Sequence, residues 1–295
     1  MKVLITGGSS SIAHHLKTYF PDAIYTNSSN LNLIHLNNVV KYIQKLKPDV
    51  VVHCAARVGG ILDNISTPHE FLDNNLMINT NLTYACKEAG VNRFIGLLST
   101  CIYGDNYMDS EYPLREEQVF DGNPALSNFS YAYAKRCLGL QIQNYRKLGL
   151  LNYCYIIPSN LYSEFDTHQG KSAHFVTACI AKCREALNDG KNTINLMGSG
   201  KPLRQFMYAK DVARLIEIMI TTGKYENVNV ASNENLSIKV MAEIICSKIS
   251  KGLKINWDLS KPDGQFRKDV SVSKLVSIYP ELKITNFKDG MDLII

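Results

Sequence analysis

The sequence predicts an α/β chain, a doubly wound parallel sheet with helices on both faces followed by a smaller C-terminal lobe. Three observations predict it. Short apolar runs of strand length alternate with longer segments of helical spacing through the first half of the chain. The first run, Lys2 to Thr6, leads directly into a turn of small residues, Gly7-Gly8-Ser9-Ser10-Ser11-Ile12-Ala13, and then into a helical pattern through Phe20. From about Ser163 the alternation gives way to loops, short strands and separate helices.

Taken in order, the opening strand, turn and helix have the form of a dinucleotide-binding unit, in which a helix N-terminus and free backbone amides hold a pyrophosphate. Glycine usually stands where Gly7, Ser10 and Ala13 stand, and the two replacements are small enough for close backbone approach. Gly7, Ser9, Ser10, Ser11, Ile12 and Ala13 are therefore candidate cofactor contacts of a Rossmann-type sheet. Asp22 to Thr26 reads as the second strand. A carboxylate near its end would bond the ribose 2′-hydroxyl of NAD(H), but Tyr25-Thr26-Asn27-Ser28-Ser29 holds neither a carboxylate to repel a 2′-phosphate nor an Arg to clasp one. The reading leans to NADP(H), with NAD(H) as the alternative.

A helix from about His35 to Leu46 precedes a third buried strand, Asp49 to Cys54, which ends in Ala55-Ala56-Arg57-Val58-Gly59-Gly60. Small residues there leave room for a cofactor, and the glycine pair lets a loop approach a substrate. Pro68 to Ala89 is a long helix whose Asn74, Asn75, Asn79 and Asn81 read as a polar face. Arg93 to Leu98, the fourth strand, delivers Ser99-Thr100-Cys101 at its carboxyl end, where open parallel sheets bind ligands.

The next helix carries Ser130-Tyr131-Ala132-Tyr133-Ala134-Lys135. Tyr131 and Lys135 stand four apart and share a helical face. A neighbouring ammonium favours the phenolate, so the pair is expected to trade a proton with a substrate oxygen near neutrality. Spacing alone does not single them out, because Tyr279 and Lys283 repeat it beside Pro280, far from any nucleotide-binding signature. Asn152 to Ile157 is a further strand, ending in Pro158-Ser159-Asn160-Leu161-Tyr162. Beyond it come a helix from His174 to Asn188, a strand from Thr193 to Met197, and helices near Asp211 and Lys239. The predicted division is a dinucleotide-binding domain over 1–162, with 205–235 returning to it, and a lobe made mostly from 163–295.

Composition bounds the function. With 295 residues, 45% hydrophobic and 20% charged, the chain buries a full core. A net charge of +5 without a long basic run argues against a nucleic-acid partner. Eight cysteines without C-x-x-C pairs fit free thiols in a reducing compartment better than disulfides or a metal site. No apolar run of about twenty residues suggests a membrane span, and Met1 to Thr6 shows no charged leader, so a cytoplasmic enzyme is expected.

Together the segments resemble the extended short-chain dehydrogenase/reductases and, within them, the GDP-L-fucose synthase family, the GDP-4-keto-6-deoxy-mannose 3,5-epimerase/4-reductases. The resemblance rests on Ala56-Arg57-Val58-Gly59-Gly60-Ile61 with Asn64 after it, Ser99-Thr100-Cys101-Ile102-Tyr103, Tyr131-Ala132-Tyr133-Ala134-Lys135 and Pro158-Ser159-Asn160-Leu161-Tyr162. It continues through Lys171-Ser172-Ala173-His174 and Gly198-Ser199-Gly200-Lys201-Pro202-Leu203-Arg204-Gln205-Phe206, in family order over most of the chain.

The resemblance implies a reductase triad of Ser99, Tyr131 and Lys135 and an epimerase pair of Cys101 and His174. On their own, Cys101 reads as a small buried residue at a strand end and His174 as a helix cap or surface residue. It further implies cofactor contacts at Leu97, Leu98, Ser99, Thr100, Tyr131, Lys135, Pro158, Ser159, Asn160, Leu161 and His174. Substrate contacts fall at Lys182, Met197, Arg204 and Asp263, the last within Lys261-Pro262-Asp263-Gly264. The expected activity is NADPH-dependent C3/C5 epimerisation and C4 reduction of a GDP-linked 4-keto-6-deoxy sugar by a C2 homodimer built on the helices near Pro68 to Ala89 and Tyr131 to Leu148. Lys182 replaces an Arg, Met197 a Trp, and Ser163-Glu164 a Gly-Pro pair. These departures lie in the substrate lobe, so the alternatives are a C4 reductase without epimerase activity, on a hexose or heptose, and an idle nucleotide-binding protein.

Overall fold

The chain is described by a computed structural model covering residues 1–166, 174–261, 263 and 265–295. Its frame is a six-stranded, wholly parallel sheet. β1 (Val3–Thr6) leads to α1 (Ser11–Tyr19), β2 (Ile24–Thr26), α2 (Leu36–Leu46) and β3 (Val50–His53). Two helices, the short α3 (Ile61–Ser66) and the long α4 (Pro68–Glu88), precede β4 (Phe94–Leu97), α5 (Phe129–Lys147) and β5 (Tyr153–Pro158). β1, β3, β4 and β5 are buried at every position, as expected of strands covered by helices on both faces.

The remaining segments complete the sheet and build the lobe. They are β6 (Asn160–Tyr162), α6 (Phe175–Asn188), β7 (Thr193–Met197), β8 (Leu203–Arg204), β9 (Phe206–Tyr208), α7 (Ala209–Thr222), β10 (Val228–Val230), β11 (Leu236–Ser237), α8 (Ile238–Ile249), β12 (Lys254–Asp258), α9 (Ser273–Ile278) and α10 (Phe287–Ile294). The sheet order is β10-β5-β4-β3-β1-β2. The chain thus steps from β1 outward to β2 and returns to β3 on the other side, which opens a crevice at the carboxyl ends of β1 and β3.

Burial sorts these elements into three cores. Ile12, Ala13 and Leu16 of α1 pack with Val212, Leu215 and Ile216 of α7 on one face of the sheet. Val39 and Ile43 of α2, Leu82 and Cys86 of α4, and Leu138 and Ile142 of α5 cover the other. Gly96 of β4 lets α5 lie close, since a Cβ there would stand 2.8 Å from the Ile142 terminal methyl. The third core joins α6, α8 and α10 around Cys179, Ile180, Ile245 and Met291. β7 pairs in parallel with β12, and β6 with β9, so the lobe is tied to the strand end at Pro158.

The strand and helix boundaries lie within about two residues of those read from the sequence. Three features differ. Asn75 and Asn79 do not form a polar outer face: both are buried and hydrogen-bonded, and the Asn81 amide reaches the Leu33 and Ile34 carbonyls at 2.9 Å. The second Tyr–Lys pair is structural, with Tyr279 buried and its hydroxyl donating to the Lys224 carbonyl at 2.9 Å. The short helix α3 follows the glycine pair where a loop was expected.

Candidate active site

At the end of β1 the chain turns through Gly7 at φ 69°, a conformation that favours glycine. A Cβ at Gly7 would also stand 2.7 Å from the Cys54 carbonyl carbon and the Ala55 nitrogen. Strands β1 and β3 therefore approach here as closely as backbone permits. Ser10 caps α1, its Oγ accepting from the Ala13 amide at 3.3 Å, so Ser9, Ser10, Ser11 and Ile12 form a helix N-terminus facing the crevice. After β2, Asn27 Oδ1 accepts from both the amide and the hydroxyl of Ser29, giving an exposed, uncharged turn.

The neighbouring strand end and α5 carry the other candidate residues. Leu97 and Leu98 are buried, and Ser99 opens a 3₁₀ turn, Thr100–Ile102, with its Oγ accepting from the Cys101 amide at 3.3 Å. Lys135 of α5 is 2% exposed and donates to the Leu97 carbonyl at 2.7 Å, its Nζ lying 5.8 Å from the centre of the Tyr131 ring. Burial lowers the Lys135 pKa to about 8, the nearby Cys54 opposing the shift. The buried Cys54 thiol is in turn pushed up to about 12.

Tyr131 corrects the expectation drawn from spacing. Its pKa is raised, by burial first and by the adjacent Cys101 second. Desolvation of the phenolate dominates, so the phenol stays protonated through neutral pH. Cys101 adds to the Tyr131 shift through its charge, and Arg204, whose pKa falls on burial, feels the charges of Cys101 and Tyr112.

Other predicted residues are placed as follows. Pro158 and Ser159 are buried at the end of β5, and Ser159 Oγ has no hydrogen-bond partner. Asn160 donates to the Gln205 carbonyl at 3.3 Å, and Leu161 lies within β6. His174 is exposed and caps α6, rather than lying within it. Lys171, Ser172 and Ala173, and likewise Pro262 and Gly264, lie outside the described residues. In the lobe, Lys182 donates to the Asn195 carbonyl at 2.8 Å, and Met197 is 69% exposed on β7. Asp263 accepts from the Ser199 amide at 2.7 Å and the Ser199 hydroxyl at 2.6 Å.

Several supporting residues had no recognised signal in the sequence. The Thr6 hydroxyl bonds His53 Nδ1 at 2.8 Å, His53 Nε2 bonds Asn79 Oδ1 at 3.0 Å, and Asn79 donates to the Ala134 carbonyl at 3.3 Å. Burial, then the Lys135 charge, lowers the His53 pKa to about 3, so this chain from β1 to α5 is neutral. Asn75 fixes the loop before Gly59 by accepting from the Arg57 amide at 2.9 Å and donating to the Arg57 carbonyl at 3.0 Å. Asn64 donates to the Gly59 and Gly60 carbonyls at 3.2 and 3.0 Å. Asn64 was already part of the glycine-loop motif, and a histidine ending the otherwise apolar run Val50-Val51-Val52 was a further cue.

Residues 3–231 match the NAD dependent epimerase/dehydratase family. GDP-L-fucose synthase of Dictyostelium discoideum is 33% identical over 301 residues, spanning 98% of this chain and 92% of that protein. GDP-L-fucose synthase of Sinorhizobium fredii is 34% identical over 271 residues, spanning 91% of this chain and 85% of its own. Among solved structures, a GDP-L-fucose synthetase from Naegleria fowleri bound to NADP superposes with a TM-score of 0.88 at 28% identity, covering 98% of this chain and 90% of that one.

Proposed function

Since the chain belongs to the NAD dependent epimerase/dehydratase family, and within it to the GDP-L-fucose synthases, we propose that it converts a GDP-4-keto-6-deoxy sugar by C3/C5 epimerisation and NADPH-dependent C4 reduction. The observation that carries the proposal is the convergence of Tyr131, Lys135 and Cys101 at the carboxyl end of β4.

The residues fit the cofactor. The cap at Ser10, the close turn at Gly7, the uncharged turn at Asn27–Ser29 and the unpartnered Ser159 Oγ together suit a dinucleotide with a 2′-phosphate. Bound there, NADPH supplies a hydride. The protein supplies the protons. A C4 ketone acidifies the hydrogens on C3 and C5, so the Cys101 thiolate takes one and the His174 imidazolium returns one to the opposite face. Between those transfers the negative charge rests on the C4 oxygen, where Ser99 and Tyr131 donate hydrogen bonds. When hydride reaches C4, the Tyr131 phenol gives that oxygen its proton, and the Lys135 ammonium stabilises the phenolate left behind.

In this reading Arg204, half-buried on β8, serves the substrate's charged end with its forked donors. Asp263 and Lys182 hold the Ser199 turn and β7 around the exposed Met197, where the nucleotide is received. Residues 1–162 with 205–235 serve as the cofactor domain and the rest as the substrate lobe, consistent with β10 in the main sheet and α7 against α1. A C2 dimer, a cytoplasmic site and independence from metal complete the proposal.

The test is incubation with GDP-4-keto-6-deoxy-mannose and NADPH in heavy water, followed by NMR of the product. Deuterium at C3 or C5 with hydride at C4 supports both half-reactions. Reduction without exchange leaves a C4 reductase, and no NADPH oxidation with any nucleotide-linked 4-keto sugar overturns the proposal.

A further inference from the structure

Arg136 follows Lys135 directly on α5 and is 7% exposed. A buried guanidinium usually meets a carboxylate or phosphate, but this one is spent on main-chain carbonyls. Nε donates to Ile102 at 2.7 Å, Nη1 to Gly122 at 2.8 Å and Nη2 to Asp121 at 2.8 Å. Ile102 closes the 3₁₀ turn that has Cys101 at its centre, its amide bonding the Ser99 carbonyl at 3.1 Å.

The two loop segments held by this fork also hold each other. Gly104 and Pro124 form an antiparallel bridge, and the Asp105 amide donates to the Asn123 carbonyl at 2.9 Å. The Tyr133 hydroxyl, one turn before Arg136, donates to Asn123 Oδ1 at 3.0 Å. The end of the Cys101 turn and the 121–124 segment are thus tied to α5 mainly by Arg136, with Tyr133 as a second tie. The groups that serve hydride transfer are held otherwise: the Leu98 amide bonds the Ile156 carbonyl at 2.9 Å just before Ser99, Lys135 bonds Leu97, and Tyr131 is on α5 itself.

We infer that Arg136 is a positioning residue for Cys101, fixing the sulfur for proton transfer while leaving the hydride-transfer groups in place. The inference rests on the reading of Cys101 as the epimerase base. Planarity matters as much as charge, because the guanidinium spreads its donors over three separate nitrogens, one for each carbonyl, whereas an ammonium offers its three from a single atom.

Two assays on the full-length protein separate the half-reactions. Deuterium uptake at C3 and C5 of GDP-4-keto-6-deoxy-mannose in heavy water with NADP⁺ reads proton transfer alone. Oxidation of GDP-L-fucose by NADP⁺ reads hydride transfer without epimerisation. Arg136→Lys keeps the charge and loses the fork, and its exchange rate is expected to fall by about tenfold or more, with oxidation within about threefold of the parent. Equal loss of both rates, or of neither, overturns the inference. Asn123→Ala loosens the same clamp from its exposed side without touching the buried charge, and should lower exchange by about threefold with oxidation unchanged. If Arg136→Lys does not fold, unchanged exchange in Asn123→Ala overturns the inference. Absence of exchange in the unmodified protein, or exchange undiminished in Cys101→Ala, would instead refute the reading of Cys101 as the base.

Discussion

Raising the pH past 8 should switch off hydride transfer in this protein well before an ordinary lysine would lose its proton. Lys135 is buried, and desolvation brings its pKa to about 8. The sign follows from which form works. The ammonium stabilises the phenolate that Tyr131 becomes, so activity is present below the Lys135 pKa and is lost as pH rises through it. At pH 9 a group titrating near 8 is about one-tenth charged, whereas a lysine near its usual value would be about 95% charged. Tyr131 does not confuse the measurement, since its own pKa is raised and its proton is retained over this range. The assay is kcat/KM for NADPH oxidation as a function of pH, which reports ionisations of the free enzyme. A fall of about fifteenfold between pH 8 and pH 9.5 is expected. A profile flat to pH 10 would refute the argument that burial sets the state of this ammonium.

Removing the phenol in Tyr131→Phe should cut hydride transfer by about 10²–10⁴ while NADPH binding, followed by fluorescence titration, changes little. Cys101→Ser should remove deuterium exchange at C3 and C5 yet retain the oxidation of GDP-L-fucose by NADP⁺. Gly7→Ala places a side chain at φ 69° and 2.7 Å from the backbone of Cys54 and Ala55. The conformation alone costs about 1–2 kcal/mol, so thermal melting should fall by several degrees and NADPH affinity should weaken. Light scattering at micromolar concentration should return the mass of a dimer, and a monomer would contradict the C2 arrangement.

The elements of the sheet were legible because their signal is local. A strand covered on both faces must be apolar at nearly every position, as in Val50-Val51-Val52, and a helix over that sheet must repeat its apolar residues at helical spacing. The strand end located Ser99 and Cys101 and the helical repeat put Tyr131 and Lys135 on one face, but it was the family resemblance that singled the four out. What spacing could not supply was the balance of opposing effects. The Tyr131–Lys135 repeat argues for a phenolate, and only the burial of both side chains shows that desolvation wins. Asn75, Asn79 and Arg136 were missed for a related reason: a polar residue on a helix reads as solvent-facing unless the carbonyls that receive it are known. Asp263 was named from the sequence as a substrate contact, but its bond to Ser199, remote in sequence, was not legible there.

In the proposed reaction a ketone carbon is held between Tyr131, Cys101 and the hydride donor. A crystal structure of the complex with NADP⁺ and the reduced GDP-sugar measures that arrangement directly. The Tyr131 oxygen is predicted at about 2.6–3.2 Å from the sugar C4 oxygen, with the Cys101 sulfur facing C3 or C5. A sugar bound with its C4 oxygen out of reach of Tyr131, or with Cys101 turned from the ring, would contradict it.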